Sequence, residues 1–281
     1  MVRSKTQSFL TRRVTPETTT RAPDELIVEE PLRIRLDEYD ISSTMRTPGH
    51  DFELAAGFCL SEGVLGGEAI VSIRYCGMGT ATESEFNVVT VETGGRAPAP
   101  TPRLGSTTSS CGLCGIEAIG ELTERLRQIP QHRPWPIELL LDLPSRAQAH
   151  QPLYSSTGSA HGAAAFDRQG TLILSREDIG RHNAVDKVVG RLLLDGRLPA
   201  TDMALFVSGR SSFEMVQKAW AAGFTALVSV SGPSALAVDT ARRAGLTLVG
   251  FARDGGGNIY SPERASPRIT TPLSPEPAPR L

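Results

Sequence analysis

Cys111 and Cys114 form a CxxC between glycines in "SSCGLCGIEAIGEL". Three chemistries fit that spacing: half of a zinc clip, a redox pair, or a thiolate that carries a group. A structural zinc takes four ligands, usually as two close pairs. The other cysteines, Cys59 and Cys76, lie far from each other and from the CxxC in sequence, so no metal site is expected. Ile116, Ile119, Leu122 and Leu126 make a helical stripe directly after Cys114. A thiol at a helix N-terminus feels unpaired amides and the helix dipole, which lower its pKa from about 8.5 and favour thiolate. Ahead of the pair runs "TGGRAPAPTPRLGSTTSS", whose Pro, Gly and Ser content predicts a loop and not a strand. A loop suits a cysteine that travels between partners better than one held in a rigid redox site.

Other clusters point to an anion. In "FVSGRSSFEMVQKAW" a buried strand, a Ser-Gly-Arg-Ser turn and a helix follow one another, so Ser208 and the helix amides would meet a phosphate, with Arg210 as a planar fork. The stretch lacks the Walker A pattern. "VSGPSALAV" repeats the arrangement with Ser229, Ser231 and Gly232. "GFARDGGGNIY" ends a strand in Phe251, Ala252, Arg253, Asp254, Gly255 and Gly256, a turn through which a bulky ligand can approach backbone. Three polar strand ends in one sheet imply a shared site for a large phosphate-bearing ligand. "SREDIGRHNAVDKVVG" packs Glu177, Asp178, Arg181, His182, Asn183, Asp186 and Lys187 around a helix start. Asp178 is either its cap, with the rest a solvated face, or joins Arg181 and His182 in a functional first turn. His161, in "STGSAHGAAAF", lacks the nearby glutamate of the zinc deaminases, and the CxxC precedes it, so deamination is not expected.

The elements that must position these residues fall into two unlike halves. In residues 26–92, "LRIRL" alternates Leu32, Ile34 and Leu36 with Arg33 and Arg35, "VSIRYC" and "EFNVVTV" read as further strands, and "PGHDFELAAGFCLSEG" reads as one helix with Cys59 on its apolar stripe. Residues 93–115 are the loop with the CxxC. Residues 116–260 alternate strands and helices after a hairpin made of "HGAAAFD" and "TLILS", which predicts a largely parallel sheet covered on both faces, a three-layer α/β domain. Residues 1–25, basic and Thr-rich without an apolar run, read as a disordered leader, and residues 261–281, rich in Pro, as a disordered tail. A net charge of −2 over 281 residues gives no argument for nucleic acid, and no apolar run is long enough to span a membrane. Four cysteines without a secretory signal point to the reducing cytoplasm.

In order along the chain, "TPGHDFELAAGFCLSEG", "SSCGLCG", "TGSAHGAAAF", "EDIGRHNAVDKVVG", "SGRSSFEMVQKA" and "GFARDGGGNIY" resemble the FdhD family, accessory sulfurtransferases needed for formate dehydrogenase. The resemblance implies a cytidine-deaminase-like fold and a homodimer. It implies that a cysteine desulfurase passes sulfur to Cys111 as a persulfide, with Cys114 as companion. The sulfur then goes to the molybdenum cofactor, Mo-bis(molybdopterin guanine dinucleotide), whose dinucleotide falls at residues 251–256. A thiol-disulfide oxidoreductase using the same CxxC, and a cofactor chaperone without chemistry, are the rival readings.

Overall fold

The computed structural model describes residues 3–76, 80, 85–100, 126 and 128–262. The alternation at Leu32, Ile34 and Leu36 becomes β3 (Glu30–Leu36), with all three side chains buried. It pairs with β4 (Tyr39–Arg46), a strand without a clear sequence signal, and lies parallel to β6 (Val88–Glu92). β5 (Ser72–Arg74) completes a small sheet in the order β4-β3-β6-β5. Helix α1 (Asp51–Ser61) covers it, and Leu54, Ala55 and Cys59 fill the core between them.

The larger sheet follows α2 (Ile137–Gln148) and α3 (Pro152–Thr157). It is built from β7 (His161–Asp167), β8 (Leu172–Asp178), β9 (Met203–Val207), β10 (Ala226–Ser229), β11 (Thr247–Arg253) and β12 (Gly256–Ser261), in the order β12-β11-β10-β9-β7-β8. Helices α4 (Arg181–Leu194), α5 (Phe213–Ala221) and α6 (Ala235–Ala244) follow β8, β9 and β10. Alternate residues of one strand face opposite layers. Ala163 and Ala165 of β7 meet Val185, Val188 and Met215 of α4 and α5, while Ala164 and Phe166 face Leu140 and Leu143 of α2. The domain is thus three-layered and mixed α/β.

The sheet is not largely parallel, as the sequence reading had it. Only β9–β10 and β10–β11 are parallel, because hairpins flank them: β7–β8 on one side, with β7 also antiparallel to β9, and β11–β12 on the other. Residues 1–25 are not a disordered leader over their described part. They supply β1 (Thr6–Val14) and most of β2 (Thr19–Ile27), paired antiparallel from Thr6↔Ile27 to Val14↔Thr19. The Thr-rich composition that looked like a leader favours strand, and the Thr18 amide donates to Thr15 Oγ1 (3.0 Å) to close the turn. Residues 263–281, most of the expected tail, lie outside the described residues.

The halves are joined by helix α1 crossing α4. A Cβ added to Gly57 would lie 1.9 Å from the Asp186 carbonyl oxygen, and one on Gly190 1.8 Å from that of Glu53, so the helices touch backbone to backbone. Buried charges flank the crossing. Lys218 Nζ donates to both Asp186 oxygens at 2.8 Å, and Ser61 Oγ to Asp186 Oδ1 at 3.0 Å. Burial works against the Lys218 ammonium, but Asp186 and Glu62 beside it raise its pKa and hold it charged.

Candidate functional site

Ligands in open α/β sheets collect beyond the carboxyl ends of the strands. Here β9, β10 and β11 end at one edge, and because β7 runs antiparallel to β9, its first residue, His161, arrives at that same edge. The edge opens into a cleft of about 420 Å³ on the α2 side of the sheet. Phe206, Val230 and Ala252 lie at its sheet side, Pro144, Ser145 and Gln148 of α2 form one wall, and Tyr154 of α3 another. Ser208, His161, Arg253 and Asp254 supply its polar groups.

Several of these are fixed by hydrogen bonds. The Ser208 amide donates to the Gly162 carbonyl, and the Gly162 amide donates back to Ser208 Oγ, both at 2.9 Å. Ser208 Oγ lies 3.4 Å from His161 Nδ1. Burial, then the positive charges of Arg181 and His182, push the His161 pKa below its ordinary 6.5, so the ring is neutral at neutral pH. Gly162 lies close under the start of α3: a Cβ there would sit 2.7 Å from Gln151 Cδ, so a larger residue would displace the Gln151 side chain.

Ser208, Ala252, Arg253 and Asp254 therefore meet in one cleft, whereas Arg210, Phe251, Gly255 and Gly256 are not among its lining. Arg210 is exposed on the turn before α5. Phe251, at φ 54, is 43% exposed, and a Cβ on Gly232 would lie 2.7 Å from its ring. The glycine run has a structural duty: Asp254 and Gly255, at φ 52 and 74, form the two-residue hairpin turn between β11 and β12, where both positions need positive φ. Cys111, Cys114 and the stripe from Ile116 to Leu122 lie outside the described residues.

The charged motif after β8 also resolves differently from either sequence reading. Asp178 is the buried last residue of β8, not in the first turn of α4, whose N-cap is Gly180. Lys187 Nζ donates to Asp178 Oδ2 at 2.7 Å and to the Thr47 carbonyl at 3.0 Å, and the Thr47 amide donates back to Asp178 Oδ2 at 3.1 Å. Asn183 Nδ2 donates to the Met45 carbonyl at 2.7 Å. Glu177 accepts the amides of Leu153 (2.9 Å) and Tyr154 (2.7 Å), capping α3 where it lines the cleft. These residues fix the frame of the site. Sequence reasoning missed α2 and its Pro144, Ser145 and Gln148; the spacing of Leu140, Leu143 and Ala147 carried the signal, and Pro144 inside the helix obscured it.

Among the described residues, no group of three or more His, Cys, Asp or Glu is placed to hold a metal ion, and no helix is long and apolar enough to cross a membrane. Cys59 is fully buried, and burial, with Asp186 and Glu62 nearby, pushes its thiol pKa far up.

These features define a three-layer α/β protein with a ligand-sized cleft at the sheet's carboxyl edge, tied to a small second sheet. The FdhD/NarQ family model matches residues 27–266, and the chain belongs to that family. It is 48% identical over 250 residues to the sulfur carrier protein FdhD of Streptomyces avermitilis, covering 86% of this chain and 88% of that one. Its identity to the FdhD of Streptomyces coelicolor is 50% over 248 residues, covering 85% and 88%. The crystal structure of a candidate formate dehydrogenase accessory protein from Desulfotalea psychrophila superposes with a TM-score of 0.74 at 26% identity, covering 93% of this chain and 99% of that one.

Proposed function

We propose that this chain is a cytoplasmic sulfur carrier serving formate dehydrogenase. It takes sulfur from a cysteine desulfurase on Cys111 and delivers it to the molybdenum cofactor before that cofactor enters the dehydrogenase. The observation that supports this most is that a CxxC and a cleft at the sheet edge occur in one chain whose relatives, over nearly its whole length, are named sulfur carrier proteins.

In the loading step the Cys111 thiolate attacks the outer sulfur of the desulfurase persulfide. A bond from that sulfur to Cys111 forms, the donor's S–S bond breaks, and the donor cysteine leaves as thiolate. Cys114 is the companion thiol. The acceptor, Mo-bis(molybdopterin guanine dinucleotide), is the substrate of delivery. Its nucleotide end takes the cleft, where Arg253 offers a planar fork to phosphate and the Ser208 hydroxyl a short donor. A neutral His161 adds no charge of its own there and can donate or accept one hydrogen bond.

Two measurements test this separately. After incubation with a desulfurase and cysteine, mass spectrometry should find one added sulfur on Cys111 and none in Cys111→Ala. A wild-type chain that gains no sulfur contradicts the carrier role. Calorimetry with GDP should show heat for wild type, reduced at least tenfold in affinity by Arg253→Ala. Absence of heat removes the cleft from the scheme.

A further inference from the structure

The cleft has almost no fixed charge of its own. Among the described residues that line it, only Arg253 and Asp254 are ionised at neutral pH, and their charges cancel. His161 is the one other lining side chain whose titration falls near neutrality. The rest of the lining is hydroxyl, amide, apolar or backbone. A phosphate that enters therefore meets no net positive charge unless the imidazole supplies it.

The groups around His161 come from several elements. On α4, Arg181 and His182 oppose a proton on the ring, as burial does, while its cross-strand partner Asp178 on β8 favours one. That carboxylate is already engaged by Lys187 and the Thr47 amide. Glu177, opposite Gly162 in the register, is held by the amides of Leu153 and Tyr154 on α3. The turn after β9 brings only neutral groups: the Ser208 hydroxyl, and the Gly209 backbone, where an added Cβ would lie 3.5 Å from His161 Nδ1. From α2, Pro144, Ser145 and Gln148 bring no charge. The α4 side thus presents cations to the ring, and the cleft side presents no net charge. A phosphate changes the cleft side alone, and its negative charge in a partly buried site offsets Arg181 and His182.

We propose that His161 is a phosphate ligand that charges on binding: neutral in the empty cleft, it takes one proton from solvent as the acceptor's phosphate enters. It thereby selects phosphorylated ligands over the bare nucleoside. This rests on the reading that the nucleotide end of the acceptor takes the cleft. Linkage is reciprocal, so each unit by which phosphate raises the His161 midpoint makes the protonated cleft hold that phosphate about tenfold more tightly.

NMR follows the His161 imidazole through titration in phosphate-free buffer, for the free chain, with excess guanosine and with saturating GDP. GDP should raise the midpoint by about one pH unit or more, and guanosine should leave it at the value of the free chain. In calorimetry, wild type should bind GDP at least about threefold more tightly than His161→Gln near pH 6, and the two should be nearly equal at about pH 8. Comparing the two proteins at each pH cancels the titration of the GDP phosphate itself. A midpoint that bound GDP leaves unmoved, an equal shift from guanosine, or an affinity ratio independent of pH would each overturn the proposal while leaving the nucleotide reading of the cleft in place. No GDP binding by wild type would overturn both. The NMR titration uses wild type alone, so it decides the matter even where the variant fails to fold.

Discussion

Gly57 and Gly190 meet where α1 crosses α4 with no side chain between them: a Cβ on Gly57 would fall 2.8 Å from the Gly190 amide nitrogen, and one on Gly190 2.7 Å from that of Gly57. The crossing presses the small sheet's helix into the domain that carries the cleft, and α4 begins at the cleft's edge beside His161.

Gly57→Ala and Gly190→Ala should each destabilise the chain by about 3 kcal/mol or more, since the added methyl meets backbone that cannot rotate away. Gly63→Ala is the control for glycine loss as such, because open space surrounds that position although its φ of 68 carries its own strain. Urea melts compare the three. Equal, small losses would mean that the helices can separate without cost.

Glu53 accepts a bidentate pair from Arg176, at 2.6 Å to Nε and 2.9 Å to Nη2. Burial alone would raise its pKa, but the hydrogen bonds from His50 and Arg176 outweigh that and hold it at about 2 against an ordinary 4.5. The folded state thus binds this proton more weakly than the unfolded state. The contribution is complete above about pH 4.5 and disappears as pH falls toward 2. Glu53→Gln should cost about 3 kcal/mol at neutral pH, and the gap between its denaturation midpoint and that of wild type should close across that window. A gap independent of pH would refute the assignment.

His161 should titrate below 6.5 in the native chain, and Arg181→Gln should move its midpoint up, because one of the positive charges opposing its protonation is gone. Imidazole resonances followed by NMR through the titration read this directly. An unchanged midpoint would remove Arg181 from the causes and leave burial and His182.

Cys59 should resist alkylation in the native chain and react only on unfolding, since its thiol is fully buried and its pKa raised. Cys59→Ala should lose about 1 kcal/mol of stability without affecting sulfur loading. Ready native labelling of Cys59 would contradict the packing, and loss of loading in a folded Cys59→Ala would assign the residue a part in transfer.

Short-range signals were legible in the sequence because they depend on neighbours along the chain. The alternation at Leu32–Leu36, the stripe through Cys59 and the hairpin around Asp167 appear in the structure where the pattern places them. The CxxC and the polar strand ends were likewise visible as residue types in order. Partners distant in sequence were not. The Asp178 carboxylate looks like a helix cap from its neighbours, and only Thr47 and Lys187, brought against it by the fold, make it a buried anchor. Gly57 and Gly190 are ordinary helix glycines until two backbones meet. The direction of β7 against β9 is set by how a hairpin and a crossover share one sheet, which no local period encodes, and that direction is what puts His161 beside Ser208. Residue chemistry was written in the sequence; which of those residues share a cleft was decided by chain reversals and close backbone approaches that exist only in three dimensions.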